Sequence, residues 1–325
     1  MKRSTPVKLH SIQDFNKITL DIFRFQAANN LVYKTFLNHL KVDVNAIERI
    51  EEIPFLPIQF FKSHKIISSK SPIEQTFLSS GTTGMTQSKH YVTDVAIYEE
   101  SFTKAFQYFY GSIENYTVLA LLPSYLERTG SSLIYMVNNF IEKSNNPKSG
   151  FYLDNLDELA KNLEELDRKG SKILLIGVSF ALLDLLDTYK FNLKNTIIME
   201  TGGMKGKRKE LIREELHNIL CNGFGVSEIH SEYGMTELLS QAYSKGNGVF
   251  ECPPWMKILA RDAEDALTIL PEGKSGGINV IDLANINSCS FIATQDLGKT
   301  YKNGTFEVLG RFDNYDIRGC NLLVL

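Results

Sequence analysis

Residues 79–90, SSGTTGMTQSKH, decide how the rest of the chain is read. Ser79, Ser80, Thr82, Thr83, Thr86 and Ser88 surround Gly81 and Gly84, Lys89 lies near the end, and almost nothing apolar is left to bury. IEQTFL (73–78) precedes it and HYVTDVAIY (90–98) follows, both rich in β-branched and aromatic residues. The pattern predicts an exposed loop joining two strands in a hairpin. Glycines let backbone N–H groups converge on an anion, and hydroxyls add donors that fit phosphate oxygens, so the loop is suited to gripping phosphate. It differs from the GxxxxGK[ST] loop, because no Lys-Ser/Thr follows the second glycine at that spacing. Taken alone, such a turn is more often a plain linker or hairpin loop.

The chain of 325 residues has room for one large or two smaller units and a sizeable core. A net charge of −3 lacks the basic excess that a phosphate-tracking surface needs, which argues against nucleic acid as a partner. The N-terminus has no apolar core of a secretory signal. The longest apolar stretch, ILLIGVSFALLDLL, is broken by Gly177, Ser179 and Asp184 and falls short of a membrane span. Cys221, Cys252, Cys289 and Cys320 show no CxxC pair or zinc-ligand spacing, and a reducing cytoplasm suits them.

Helical spacing of apolar residues predicts two helices between 11 and 49, then a proline-interrupted segment whose Phe55, Phe60 and Phe61 must be buried. Beyond the loop, short apolar runs alternate with helical patterns. A helix is expected over 94–110, a strand in YTVLALLP, a helix from about Ser131, a helix in LDELAKNLEELDRKG, a strand in KILLIGVS, a helix in FALLDLLDTY, a strand in NTIIMETGG, a helix in KRKELIREELHNILC and a strand in EIHSEYG. That alternation implies parallel crossover units of an α/β fold, with ligands at the carboxyl ends of the strands. From about 255, short β-rich runs punctuated by Gly, Pro and Asn suggest a small barrel or sandwich. The expected division is an α/β nucleotide- and acyl-binding region over 1–250, a β-rich subdomain over 251–312 and a tail over 313–325.

Polar islands fall at the predicted strand ends: SSGTTG (79–84), TGG (201–203), YGMTE (233–237), and TQD (294–296) with GRFDNYDIRG (310–319). In this order and with these gaps they resemble the adenylate-forming superfamily of acyl ligases. The resemblance implies that Ser79, Ser80, Gly81, Thr82, Thr83 and Gly84, with Lys89, hold the phosphates of ATP. It places Gly202 and Gly203 behind the adenine, Tyr233 on the base with Gly234 and Met235 beside it, Thr236 on the α-phosphate, Glu237 on Mg²⁺, and Asp296 with Arg311 on the ribose. The chemistry suits these types: a carboxylate accepts hydroxyl protons, and a hard cation wants oxygen ligands.

Two departures from the general pattern select a branch. MTQSK stands where a proline and lysine usually follow TTG, which weakens the phosphate role of Lys89, and GRFDNYDIRG is followed only by CNLLVL, so the swinging C-terminal domain is expected to be absent. Both features resemble the LuxE-type acyl-protein synthetases of the bacterial bioluminescence fatty-acid reductase complex. There the chain stops shortly after a cysteine that accepts the activated acyl group, a position matched by Cys320. A thiolate attacks an acyl-adenylate readily, and Arg318 or Arg311 nearby would favour the anion. Tyr125, Gly130, Ser131 and His230 are candidates for the acyl substrate, and 177–183 for the lining of an acyl tunnel. The implied activity is ATP- and Mg²⁺-dependent formation of a fatty acyl-AMP, transfer to Cys320 and onward passage to a reductase or carrier protein. Alternatives are an acyl-coenzyme A ligase of the phenylacetate type lacking its C-terminal domain, and a non-catalytic binding module.

Overall fold

A computed structural model describes residues 12–80, 86–122, 130–153, 155–202, 208 and 211–312. The chain opens with helices α1 (Ile12–Asn29) and α2 (Leu31–His39), a two-residue strand β1 (Leu56–Pro57) and a single helical turn α3 (Phe60–Ser63). Strands β2 (Gln75–Leu78) and β3 (Lys89–Val92) then pair antiparallel with Leu78 opposite Lys89, so the polar stretch does join the arms of a hairpin. Helix α4 (Val95–Tyr110) follows, its Tyr98, Phe102, Ala105, Phe106 and Phe109 buried at helical spacing.

The crossover units appear as expected. Strand β4 (Thr117–Leu121) leads through α5 (Ser132–Lys143) to β5 (Gly150–Phe151), then α6 (Leu156–Arg168), β6 (Ile173–Val178), α7 (Ser179–Thr188), β7 (Thr196–Thr201), α8 (Arg213–Phe224) and β8 (His230–Tyr233). These strands lie parallel in the order β5-β4-β6-β7-β8. Because β4 steps outward to β5 while the later crossovers step the other way, the right-handed rule puts α5 on one face and α6, α7 and α8 on the other. Phe102 and Phe106 of α4 meet Phe140 of α5, so α4 shares its face.

The remaining strands, β9 (Ala242–Ser244), β10 (Val249–Glu251), β11 (Met256–Arg261), β12 (Ser275–Asp282), β13 (Phe291–Thr300) and β14 (Phe306–Arg311), continue the same sheet antiparallel in the order β8-β9-β10-β14-β13-β12-β11. Strand β1 adds to β13 in parallel. The N-terminal helices cover this antiparallel half: Phe23, Tyr33, Phe55 and Phe61 share a core with Phe291 and Phe306. Gln26 Nε2 donates to the carbonyls of Asn285 and Ile286 at 3.1 and 2.9 Å, fixing α1 on the turn before β13.

One helix differs from expectation. The stretch KRKELIREELHNILC predicts a start near Lys207, yet α8 begins at Arg213 after an extended, exposed Ile212. Ile212 would extend the buried stripe of Leu216, Leu220 and Phe224 by one turn, but it is 70% exposed, so that turn would bury nothing there.

Candidate functional site

The hairpin is closed from within. Ser79 N–H donates to the Ser88 carbonyl at 3.1 Å, and Ser88 N–H returns a bond to Ser79 Oγ at 2.8 Å. Ser80 and Lys89 are exposed beside this closure. The Gly130 carbonyl accepts Leu78 N–H at 2.8 Å, which ties the approach to α5, capped by Ser131, to the hairpin. Gly81, Thr82, Thr83, Gly84, Tyr125, Gly203 and Cys320 lie outside the described residues.

The YGMTE segment leaves the carboxyl end of β8 and reaches the hairpin. Glu237 is 5% exposed, and burial lifts its carboxyl above the usual range against a hydrogen bond from Ser88 and the more distant charges of Lys62 and Arg311. No ion pair neutralises it among the described residues. His90, unnoticed in the sequence, latches the two segments. Its Nδ1 lies 2.8 Å from the Thr236 carbonyl and its Nε2 lies 3.0 Å from Asn285 Oδ1, while Asn285 Nδ2 donates to the Glu237 carbonyl at 2.7 Å. Burial holds the His90 ring down to about 4 despite the pull of both oxygens.

Tyr233, Asp296 and Arg311 meet on the antiparallel side. Tyr233 Oη–H donates to Asp296 Oδ2 at 2.8 Å, and Arg311 Nε stands 3.4 Å from Asp296 Oδ1, the two residues facing each other across β13 and β14. Burial raises the Asp296 carboxyl; the Tyr233 hydroxyl and the charges of Arg311 and Arg261 partly offset it. The Arg311 side chain is 71% exposed, so the cluster opens to solvent on that side.

At the carboxyl end of β7, Gly202 is exposed, with its carbonyl accepting the Ser179 hydroxyl at 3.0 Å. Thr201 Oγ1 donates to Glu232 Oε2 at 2.5 Å. Glu232, a second residue missed in the sequence, has its carboxyl pushed up to about 7, chiefly by burial and secondarily by Glu200. A Cβ at Gly234 would strike Glu232 Oε1, which explains why glycine follows Tyr233.

His230 is not brought to this cluster. It sits at the amino end of β8, its Nδ1 3.2 Å from Tyr110 Oη, and burial followed by the charge of Lys245 holds it down to about 4. The 177–183 segment lies in the core, where Leu182 packs on Gly177.

The sequence profile of the family described as acyl-protein synthetase, LuxE, covers residues 7–325. The chain belongs to the LuxE acyl-protein synthetase family. A long-chain-fatty-acid–luciferin-component ligase of Photorhabdus luminescens is 37% identical over 70 residues, 21% of this chain and 60% of that protein. The LuxE-family chain shares its fold with adenylate-forming ligases. ATP-bound MatB from Rhodopseudomonas palustris aligns at a TM-score of 0.54 with 18% identity, over 75% of this chain and 49% of its own. An open 2-hydroxyisobutyryl-CoA ligase in complex with 2-HIB-AMP and CoA aligns at 0.67 with 11% identity, over 98% of this chain and 76% of its own. The chain thus spans about half the length of MatB and less than two thirds of the curated relative.

Proposed function

We propose that this protein activates a carboxylic acid, of the fatty acyl class, by adenylation and passes the acyl group through a thiol to a partner protein. One observation carries the reading: Tyr233, from a strand several steps away in the sheet, converges on the facing pair Asp296 and Arg311, giving an aromatic ring hydrogen-bonded to an ion-paired carboxylate, a combination suited to a nucleoside. The hairpin loop and Lys89 would take the phosphates, Gly202 and Gly203 the adenine, and Thr236 the α-phosphate. Tyr125, Gly130 and Ser131 would line the carboxylate's approach.

Glu237 fits a Mg²⁺ role, being a buried carboxylate without an ion-pair partner among the described residues, beside the loop proposed to take the phosphates. Mg²⁺ is commonly held by one or two carboxylates plus substrate phosphates, and bound there it would neutralise charge on the departing pyrophosphate.

In the first step a carboxylate oxygen attacks the α-phosphorus and the bond to pyrophosphate breaks, giving acyl-AMP. In the second, the Cys320 thiolate attacks the acyl carbon and AMP leaves. Thiol exchange with a reductase or carrier protein then releases Cys320. The other cysteines support this choice: burial raises the thiols of Cys221 and Cys252 and pushes Cys289 up to about 12, which suppresses their thiolates.

Incubation with ATP, Mg²⁺ and carboxylic acids of graded length, followed by intact-mass measurement, tests the reading. It predicts pyrophosphate release and an acyl adduct that hydroxylamine removes; Cys320→Ser should keep pyrophosphate release and lose the adduct. Absence of pyrophosphate release with every acid would overturn adenylation. Acyl transfer to coenzyme A undiminished in Cys320→Ser would replace the protein thiol by the cofactor as acceptor.

A further inference from the structure

We propose that Arg261 is a positioning residue for nucleotide recognition, holding from beneath the strands that carry Asp296 and Arg311; this rests on reading those two as the ribose pair. Arg261 ends β11 and is 9% exposed. Its Nη1 donates to the Ile278 carbonyl at 2.7 Å and to Asn279 Oδ1 at 2.9 Å, and its Nη2 to the Thr294 carbonyl at 2.6 Å. Burying a guanidinium is costly, and an apolar side chain would fill such a site at lower cost. A planar fork adds fixed donor directions and a permanent charge.

Those directions bracket the ribose pair. Thr294 also receives the Asp296 N–H on its Oγ1 at 3.1 Å, so the carbonyl clamped by Arg261 and the hydroxyl orienting Asp296 belong to one residue. The Phe312 ring centroid lies 5.6 Å from the guanidinium carbon, and Phe312 N–H donates to the Gln295 carbonyl at 2.8 Å. Phe312 directly follows Arg311, so one guanidinium contacts the neighbourhood of both members of the pair. Its charge also favours the ionised Asp296, the form that accepts hydroxyl protons.

The fold makes room for this residue. A Cβ at Gly277 would fall 2.5 Å from the Arg261 Cζ, and the β12–β13 ladder shifts register between Gly277 and Asn279. Glycine and irregularity coincide where the guanidinium crosses the sheet.

Equilibrium binding of Mg–ATP and of its 2′,3′-dideoxy analogue to the full chain tests the proposal in wild type, Asp296→Asn, Arg261→Gln and Gly277→Ala. The ratio of the two dissociation constants reports ribose recognition and does not depend on the folded fraction, so a merely structural role for Arg261 leaves it unchanged. Wild type should prefer ATP by about 10-fold or more. Asp296→Asn, Arg261→Gln and Gly277→Ala should each reduce the preference to about 3-fold or less. If Asp296→Asn keeps the full preference, the ribose reading itself fails. If Asp296→Asn loses it while Arg261→Gln keeps it, the pair stands and the role of Arg261 is overturned. Should Arg261→Gln bind no nucleotide at all, Gly277→Ala, which retains every donor and displaces the guanidinium, decides in the same way.

Discussion

Glu232 and Tyr233 are adjacent, and alternation along β8 sends them to opposite faces with opposite work. Tyr233 turns toward Phe250 and Phe306 and donates to Asp296. Replacing it with phenylalanine keeps the ring and removes that bond, so ATP should bind about five-fold more weakly in a direct titration, the worth of roughly 1 kcal/mol. Glu232 turns toward Thr201, where burial favours its protonated form and brings its ionisation to about 7. A carboxyl raised in the folded state binds a proton that the unfolded chain has released, so this contribution is complete below about 4.5 and fades as pH rises through about 7. Denaturant unfolding at a series of pH values should show Glu232→Gln abolishing a loss on the order of 1–3 kcal/mol over that interval. YGMTE was legible in the sequence because its residue types are unusual together. Glu232 was not, because only its burial separates it from an ordinary strand carboxylate.

The hairpin of β2 and β3 shows the same division among elements. Its strands were readable from β-branched and aromatic residues flanking a polar loop. Its docking was not, since His90 and Asn285 bear no motif and lie far in sequence from each other and from Thr236. Because Asn285 joins His90 to the Glu237 backbone, Asn285→Ala should leave buried groups unpaired and lower stability by about 2–3 kcal/mol, with ATP affinity falling as the loop loses its anchor. His90 carries a pH signature opposite to that of Glu232. With its folded ionisation held near 4, the unfolded chain gains a proton first as pH falls below about 6.5, so stability declines between these values. Thermal melts from pH 7 to 4.5 should show a shallower decline in His90→Gln than in wild type.

Across the whole molecule, the site depends on curvature. Strands β8 and β13 stand four steps apart in the sheet order, about 19 Å in a flat sheet, yet Tyr233 and Asp296 share a 2.8 Å hydrogen bond. The antiparallel half must therefore curl back on itself, and the buried rings of Phe250 and Phe306, 5.3 Å apart beneath Tyr233, fill the bend. Phe306→Ala would empty that space, costing about 3–5 kcal/mol, and should weaken ATP binding more than an equally destabilising change in the N-terminal helices; calorimetry paired with titration compares them. The sequence by itself determined the alternating α/β order, the β-rich run from about 255 and the ordered polar islands, because periodicity and residue chemistry are local properties of the chain. Only the tertiary structure decided that the N-terminal helices cover the antiparallel half, that His230 stays apart from the cluster, that His90 joins the hairpin to Thr236, and that Arg261 reaches the Thr294 carbonyl. Long-range contact leaves no trace in local residue order, and it is the curl of the sheet that brings Tyr233 to Asp296.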